Sequence, residues 1–473
     1  MATFAVLGAG LTGLSVGLAL ARGGHEVVCL EREPEVGGLA RSLRFEGFTF
    51  DYGPHFLFGN QVRPLLVRLA PGLELVPVRR NLERMRLAGR YFNFPFQPKN
   101  LLLGMNRSRL PGVLVELVAR SLRSGKGGGE SVEDWVVESV GRRLYDYICL
   151  SGYLEKLYGL PAREVSRDWG VQKLKFLARW REAGLLRLAA KAWGEDRRVA
   201  AHPVSYPPQG VDRLAQALAA SLAAAGVRVV LGAEVNQVDI TRPAISIRLG
   251  GRQEVVEADF IVSTIPVTAL LGRLSPKPPE PVTQAAQAGL RYRSTALLFI
   301  LLEEPQAIEH LCIYFTEEGP SFRRITEFKR LSPALAPEGK SSLCVEITFG
   351  EGDGLSRLDD AALFELAATQ LGAMGLLRRQ AVSSYRVLRL PFAYPIYGLG
   401  YGHRLAAVLD HLAGLDRLVS IGRQGLFHYN TMANSIIEGH QVGERLAQAG
   451  PGAWGALVRA TYDQRLAKYE EAG

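Results

Sequence analysis

The sequence predicts an α/β chain in which a nucleotide-binding domain is assembled from separated segments, with an α+β domain and a helical insertion between them. Three observations predict it. The chain opens as strand, glycine turn, helix and strand. A long stretch of helical periodicity follows, from about residue 100 to residue 193. Helix and strand patterns of the opening kind return at 211–231 and again at 417–449, with strand-like segments between them.

The opening strand covers residues 4–7, the helix 11–22 and the second strand 26–31. Within the helical stretch, 124–129 forms a loop. Ser131 and Asp134 then make a capping box that opens a helix carrying Trp135, Val136, Val140 and Leu144. A proline-rich stretch at 202–210 closes the region. A helix at 211–224 and a strand at 227–231 follow, and further strands occur at 245–249, 260–264, 295–302, 341–349 and 383–390. The last α/β piece is a strand at 417–421, a loop to Met432 and a helix from about 433 to 449. Residues 1–95, 205–272 and 413–450 are assigned to the nucleotide domain and 96–204 to a helical substrate or lid region. Residues 273–412 are assigned to a substrate-domain sheet with its helices, and 451–473 to a C-terminal tail helix.

With 473 residues, 47% of them hydrophobic and 22% charged, the chain has enough apolar content for a large core, which excludes global disorder. Its net charge of +9 suits anionic ligands such as diphosphates or an acidic membrane surface, and is equally what a solubility balance produces. No RNP-type or zinc-finger motif occurs, so no nucleic-acid partner is expected. Cys29, Cys149, Cys312 and Cys344 lack CxxC spacing and point to reduced thiols. The apolar stretch 4–21 has no basic leader and is broken by glycines, so it reads as strand, turn and helix; a cytoplasmic location is the expectation. The basic and apolar pattern at 172–193 suits either peripheral contact with an anionic membrane or a packing helix with a solvated face.

Gly8-Ala9-Gly10-Leu11-Thr12-Gly13 is a GxGxxG placed between a strand and a helix. The first glycine makes the tight turn, the second lets backbone approach a pyrophosphate, and the third lets helix and strand pack closely. The helix N-terminus adds unpaired N–H groups and the positive end of a dipole. Glu31 ends the second strand where an acidic side chain accepts ribose hydroxyls, with Arg32 beside it. A Rossmann-like fold and a dinucleotide ligand are therefore expected.

Glu31 is trailed by Gly37-Gly38-Leu39-Ala40-Arg41-Ser42 and then by Phe50-Asp51-Tyr52-Gly53-Pro54-His55. With these motifs the sequence resembles the FAD-dependent amine oxidase and protoporphyrinogen oxidase superfamily, in which a glycine pair follows the ribose-binding acid. Leu39 stands where many amine oxidases have arginine. Residues 227–238 and 258–266 resemble superfamily strands in which the residue at Val235 holds the adenine through its backbone, and in which Thr264-Ile265-Pro266 runs close to the cofactor. Ile421-Gly422-Arg423, Tyr429-Asn430-Thr431-Met432-Ala433-Asn434-Ser435 and Gly439 resemble the segment that passes the flavin, with the next helix pointing its N-terminus at the pyrimidine side. An aspartate is usual where Ala433 stands. The resemblance implies non-covalent FAD in a discontinuous FAD-binding domain.

On the substrate side two relatives compete. Residues 131–166 are similar to the helical region of protoporphyrinogen oxidase-like enzymes, which implies hydride transfer to flavin N5 from a small anionic or lipophilic substrate. Tyr52-Gly53-Pro54-His55, the glycine–aromatic–proline stretch 89–95, Arg324-Ile325-Thr326-Glu327 and Tyr394-Pro395-Ile396 resemble UDP-galactopyranose mutase, a flavoenzyme without net redox change. There the arginine at Arg324 neutralises a sugar-nucleotide diphosphate. Arg323 stands where the mutases have threonine, and Phe56-Leu57-Phe58 replaces their FHT. FAD-dependent oxidation is the leading reading, sugar-nucleotide rearrangement the alternative, and a non-catalytic FAD-binding scaffold the third. His55, Arg324 and Tyr394 are the candidate catalytic residues, and Tyr397 and Tyr429 candidate pocket walls; for each, a packing or ion-pair role is the competing assignment. No HExxH, Ser-His-Asp or close His/Cys pattern points to a metal or to hydrolysis.

Overall fold

The computed structural model describes residues 1–470 except 59–60, 79–82, 95, 122–128 and 175–203. The strand Thr3–Leu7 lies at the centre of a five-stranded parallel sheet. Glu26–Glu31 and then Arg228–Leu231 lie on one side of it, Phe260–Ser263 and then Leu418–Ser420 on the other. Numbered along the chain, that order is 3-2-1-4-5, the doubly wound arrangement. The direction of winding reverses beside Thr3–Leu7. The central strands read as unbroken apolar runs because helices cover the sheet.

Helix Leu11–Arg22 packs against Asp212–Ala224 and against Met432–Gln448. Small residues let the second pair approach. A Cβ on Gly439 would stand 2.5 Å from Thr12 O, and one on Gly443 would stand 2.7 Å from Ala19 Cβ.

A seven-stranded sheet forms the second body. Its order is Val382–Pro395, Tyr292–Leu302, Ser341–Phe349, Arg324–Thr326, Cys312–Phe315, Glu83–Leu87 and Arg90–Asn93. The two-residue period of Tyr292–Leu302 divides the packing. Leu297, Phe299 and Leu301 join the main core, whereas Ala296, Leu298, Ile300 and Leu302 pack with Leu363, Ala367 and Leu371 of helix Asp360–Ala373. The pairing of Glu83–Leu87 with Cys312–Phe315 places the hairpin 83–93 in this sheet, not in the nucleotide domain as the expected limit at residue 95 required. A four-stranded sheet of Arg252–Glu257, Ala244–Leu249, Glu234–Asp239 and Leu274–Ser275 lies between the two strand-and-helix segments of the nucleotide domain.

The helical region breaks into short pieces, among them Val132–Val140, Arg142–Ile148, Leu150–Tyr158 and Arg167–Lys173. Ser131 Oγ accepts from Asp134 N at 3.1 Å, as a capping residue does. Leu144 does not share that helix: Gly141, at φ +92°, ends it, and Leu144 belongs to the next. Most of the 172–193 pattern, and the loop at 124–128, lie outside the described residues. Among the described residues no helix is long and apolar enough to cross a membrane.

Candidate active site

The glycine loop sits at the carboxyl end of the central strand, where the winding reverses and where ligands bind in folds of this kind. Gly8 has φ +98° and donates its N–H to Leu30 O at 2.8 Å. A Cβ on Gly13 would stand 1.9 Å from Gly8 O, so close packing of helix on strand requires the third glycine. Gly10 differs from both. Its φ is −73°, open to any residue, and a Cβ there would meet nothing nearer than Gly38 Cα at 3.9 Å. Among the described residues no protein atom demands glycine at position 10.

The second glycine pair faces this loop. Gly37 donates to Ala9 O at 2.8 Å, and a Cβ on Gly38 would lie 3.3 Å from Gly10 Cα. Ala40 N closes the turn onto Gly37 O with Leu39 half-buried inside it, and Arg41 Nε donates to Gly38 O at 3.0 Å. Leu11 and Thr12 are buried at the start of helix Leu11–Arg22, which has no side-chain cap, so its first-turn N–H groups open toward the same space. Glu31 accepts from Ala9 N at 2.8 Å and from Glu33 N at 3.0 Å, and each carboxylate oxygen keeps a second acceptor site. Arg32 is exposed and pairs with Glu33 at 3.1 Å, lining a surface cleft of about 480 Å³ with Glu234 and Arg248. Val235 is buried nearby, its carbonyl taken by Arg273 Nε at 2.7 Å. Thr264 Oγ1 donates to Leu7 O at 2.9 Å, tying the ends of two central strands together.

Gly53, Pro54 and His55 leave the hairpin of Ser42–Phe45 and Phe48–Asp51 and run against a charged cluster. A Cβ on Gly53 would meet Arg324 Nη2, Glu346 Oε1 and His55 Cε1, each at 3.7 Å. His55 Nδ1 lies 2.8 Å from Gly53 O, which can only accept, so Nδ1 carries the hydrogen and Nε2 is the acceptor. Burial, reinforced by the charges of Arg324 and Arg423, pushes its pKa down to about 4. The ring is neutral at pH 7.

Arg323 and Arg324 share one carboxylate. Arg323, 1% exposed, donates to Glu346 Oε2 at 2.8 Å and to Tyr394 Oη at 2.6 Å. Arg324 donates through Nε to Glu346 Oε1 at 2.6 Å and reaches Tyr314 Oη at 3.2 Å. Burial alone would raise the pKa of Glu346, but the charges of Arg324 and Arg323 outweigh it and hold the carboxylate below its ordinary value. Burial pushes Tyr394 up to about 12, against the opposing charge of Arg323. Arg423 is 4.5 Å from the ring centre of Tyr429 and 5.6 Å from that of Tyr394. It donates to the carbonyls of Asn430 and Ala393, both at 2.8 Å, so no carboxylate offsets its charge among these bonds.

The 422–432 segment is pinned from the helix that follows it. Gly422 (φ +81°) presses on Thr12, where a Cβ would stand 2.8 Å from Oγ1. Glu438 accepts from Gly422 N and from Asn430 Nδ2, both at 3.1 Å. Thr431 caps helix Met432–Gln448 by accepting from Asn434 N at 3.2 Å.

The structure thus brings His55, Arg324, Tyr394, Arg423 and Tyr429 together. Tyr397 does not line this space: it is fully buried, stacks on Tyr401 at 4.5 Å and accepts from Tyr429 N at 2.8 Å. No sequence pattern marks Glu438, Tyr314 or Tyr153, whose Oη accepts from Arg323 Nη1 at 3.3 Å. A lone glutamate inside the apolar strand Ser341–Phe349 was the available signal for Glu346.

The family profile described as flavin containing amine oxidoreductase matches residues 11–423. The chain belongs to that family. Its members are flavoenzymes, and FAD is the cofactor of this oxidoreductase. Over 50 residues it is 50% identical to a 4,4'-diapophytoene desaturase (4,4'-diaponeurosporene-forming) of Staphylococcus aureus (strain bovine RF122 / ET3-1), a stretch that spans 11% of this chain and 10% of that protein. Among solved structures it is similar to a reduced UDP-galactopyranose mutase at 22% identity and TM-score 0.79, covering 96% of this chain and 99% of the mutase. It is also similar to the cyclohexylamine oxidase of Brevibacterium oxydans IH-35A at 16% identity and TM-score 0.61, covering 94% of this chain and 99% of the oxidase. At such identities these structures share the fold.

Proposed function

We propose that this flavin-containing oxidoreductase oxidises a small organic substrate that carries an anionic group. The observation that carries this reading is a charge imbalance: Arg323 and Arg423 lie over Tyr394, Arg423 also over Tyr429, and Arg324 shares with Arg323 the single carboxylate of Glu346. A cationic excess withdrawn from water costs free energy that a substrate carboxylate or phosphate offsets. FAD supplies the hydride acceptor. The residues fit it, since among the described residues nothing comes nearer to a Cβ on Gly10 than Gly38 Cα at 3.9 Å. Gly8, Gly10, Leu11, Thr12 and Gly13, with Gly37, Gly38, Leu39, Ala40 and Arg41, are assigned to the pyrophosphate. Glu31, with Arg32 beside it, is assigned to the ribose and Val235 to the adenine. Gly53, Pro54, His55, Thr264, Gly422, Arg423, Tyr429, Asn430, Thr431 and Met432 are assigned to the flavin end.

Arg324 and Arg423 hold the anionic group. Tyr394 accepts from Arg323, so its own hydrogen is directed elsewhere, toward substrate. Neutral His55 offers an acceptor at Nε2. The test is anaerobic mixing of the FAD-loaded enzyme with carboxylated, phosphorylated and neutral compounds while the visible flavin band is followed. Anionic compounds are expected to bleach it, and Arg423→Met to raise the concentration needed by about 10- to 100-fold, the worth of one charged hydrogen bond. Neutral amines or polyenes bleaching as fast as the anions overturns the reading.

A second reading is favoured by the same arginines: rearrangement of a sugar nucleotide with no net redox change. It predicts that UDP-galactopyranose is converted only by enzyme first reduced with dithionite.

A further inference from the structure

Helix Leu110–Ser121 confines its charges, Glu116 and Arg120, to one side one turn apart, and keeps apolar side chains on its outward side. Val113 is buried, and Leu110 and Leu117 pack against the core. Leu114 and Val115 point away, 38% and 69% exposed, and Leu103 on the preceding helix Pro98–Gly104 is 75% exposed. Single exposed apolar residues need no explanation, but a concentration does. Of the ten exposed large apolar side chains among the described residues, five fall between Tyr91 and Val118.

The stretch that carries them is basic. Residues 90–121 contain five basic side chains, Arg90, Lys99, Arg107, Arg109 and Arg120, against a single acidic one, Glu116. The Glu116 carboxylate is turned to the helix junction, where it accepts from Arg142 N at 2.8 Å and Arg143 N at 2.9 Å. Apolar side chains set among cations complement an anionic bilayer, into which the apolar groups insert while the cations meet headgroups. A second protein copy would have to bring its own basic residues against these.

We infer that the exposed surface of helices Pro98–Gly104 and Leu110–Ser121, with Leu103 on the first and Leu114 and Val115 on the second, docks this enzyme on anionic lipid. The attraction of each basic residue falls off within a Debye length, so the contact is salt-sensitive. The surface is separate from the arginine cluster, and the inference stands whichever substrate that cluster takes.

The test is sedimentation of the FAD-loaded enzyme with phosphatidylglycerol vesicles and with phosphatidylcholine vesicles at low and at high salt. Binding to the anionic vesicles alone, at low salt, is expected. The double variant Leu103→Glu with Val115→Glu is expected to reduce the bound-to-free ratio at least roughly tenfold while keeping its flavin absorbance. Absence of sedimentation of the parent protein overturns the inference, as does unchanged binding by the variant. A dimer of the parent protein that the variant dissociates also overturns it, since the face is then a contact between copies.

Discussion

At the scale of single residues, two glycines of one motif have different reasons to be glycine. Gly13 is required by Gly8 O, and Gly10 by nothing among the described residues. Gly10→Val is therefore expected to purify colourless with the melting temperature of the FAD-free parent, whereas Gly13→Ala is expected to melt lower than the parent both with and without FAD. Equal melting losses in the two would remove the argument for a ligand at Gly10. His55 gives a second residue-scale prediction. Its pKa falls from 6.5 to about 4 on folding, so the native state binds fewer protons than the unfolded state between those values. Stability is fully present above pH 6.5 and is lost as pH falls toward 4, by up to about 3 kcal/mol. Urea titrations from pH 7 to pH 4 are expected to show a shallower decline for His55→Gln than for the parent. The glycines and Glu31 were legible in the sequence because their spacing is local. The link of Arg323 and Arg324 to Glu346 was not, because partners 22 and 23 residues apart meet only through strand pairing.

At the scale of elements, the contact of Leu11–Arg22 with Met432–Gln448 joins the two ends of the chain. A Cβ on Gly443 would stand 2.7 Å from Ala19 Cβ and 2.8 Å from Val16 O. Gly443→Ala is expected to cost about 1–3 kcal/mol in chemical denaturation, the usual range for overpacking. Because Met432–Gln448 also pins the 422–432 segment through Glu438, the same variant is expected to release FAD more readily on dilution. Tight FAD with full stability would show that the helices separate freely. The opening strand, helix and second strand were read from apolar pattern alone, and the structure places them at Thr3–Leu7, Leu11–Arg22 and Glu26–Glu31. The hairpin 83–93 escaped because its strands are short, so that Met85 and Leu87 between Arg84 and Arg86 make only one step of alternation. Helices Asp360–Ala373 and Tyr401–Ala413 went unassigned between strands whose β-branched content was the stronger signal.

At the scale of the whole molecule, an α/β chain with a parallel sheet built from separated segments was legible, because the glycine motif and the later strand and helix patterns each mark a segment. Where one sheet ends and the other begins was not, since that depends on which strand finds which edge. The positive charge of the sequence also acquires a place. Part of it is withdrawn from water, with Arg323 buried and Arg324 and Arg423 half-buried, where salt screens it less, and part lies at the surface among Arg90, Arg107 and Arg109, where salt screens it strongly. Substrate affinity is accordingly expected to change much less with ionic strength than vesicle binding does, when both are measured on one preparation.

The position of Thr3–Leu7 at the middle of its sheet also governs how the protein is made. Its partner on one side, Glu26–Glu31, leaves the ribosome almost at once, but its partner on the other, Phe260–Ser263, comes more than 200 residues later. At ordinary rates of synthesis that is a wait on the order of ten to fifty seconds. For that interval the nascent chain presents an unpaired apolar strand edge, and Leu418–Ser420 with the helix that covers it arrives later still. A chaperone, or segments already made, must cover this edge until Phe260–Ser263 arrives, and the edge of Phe260–Ser263 in turn stays open until Leu418–Ser420 has been added.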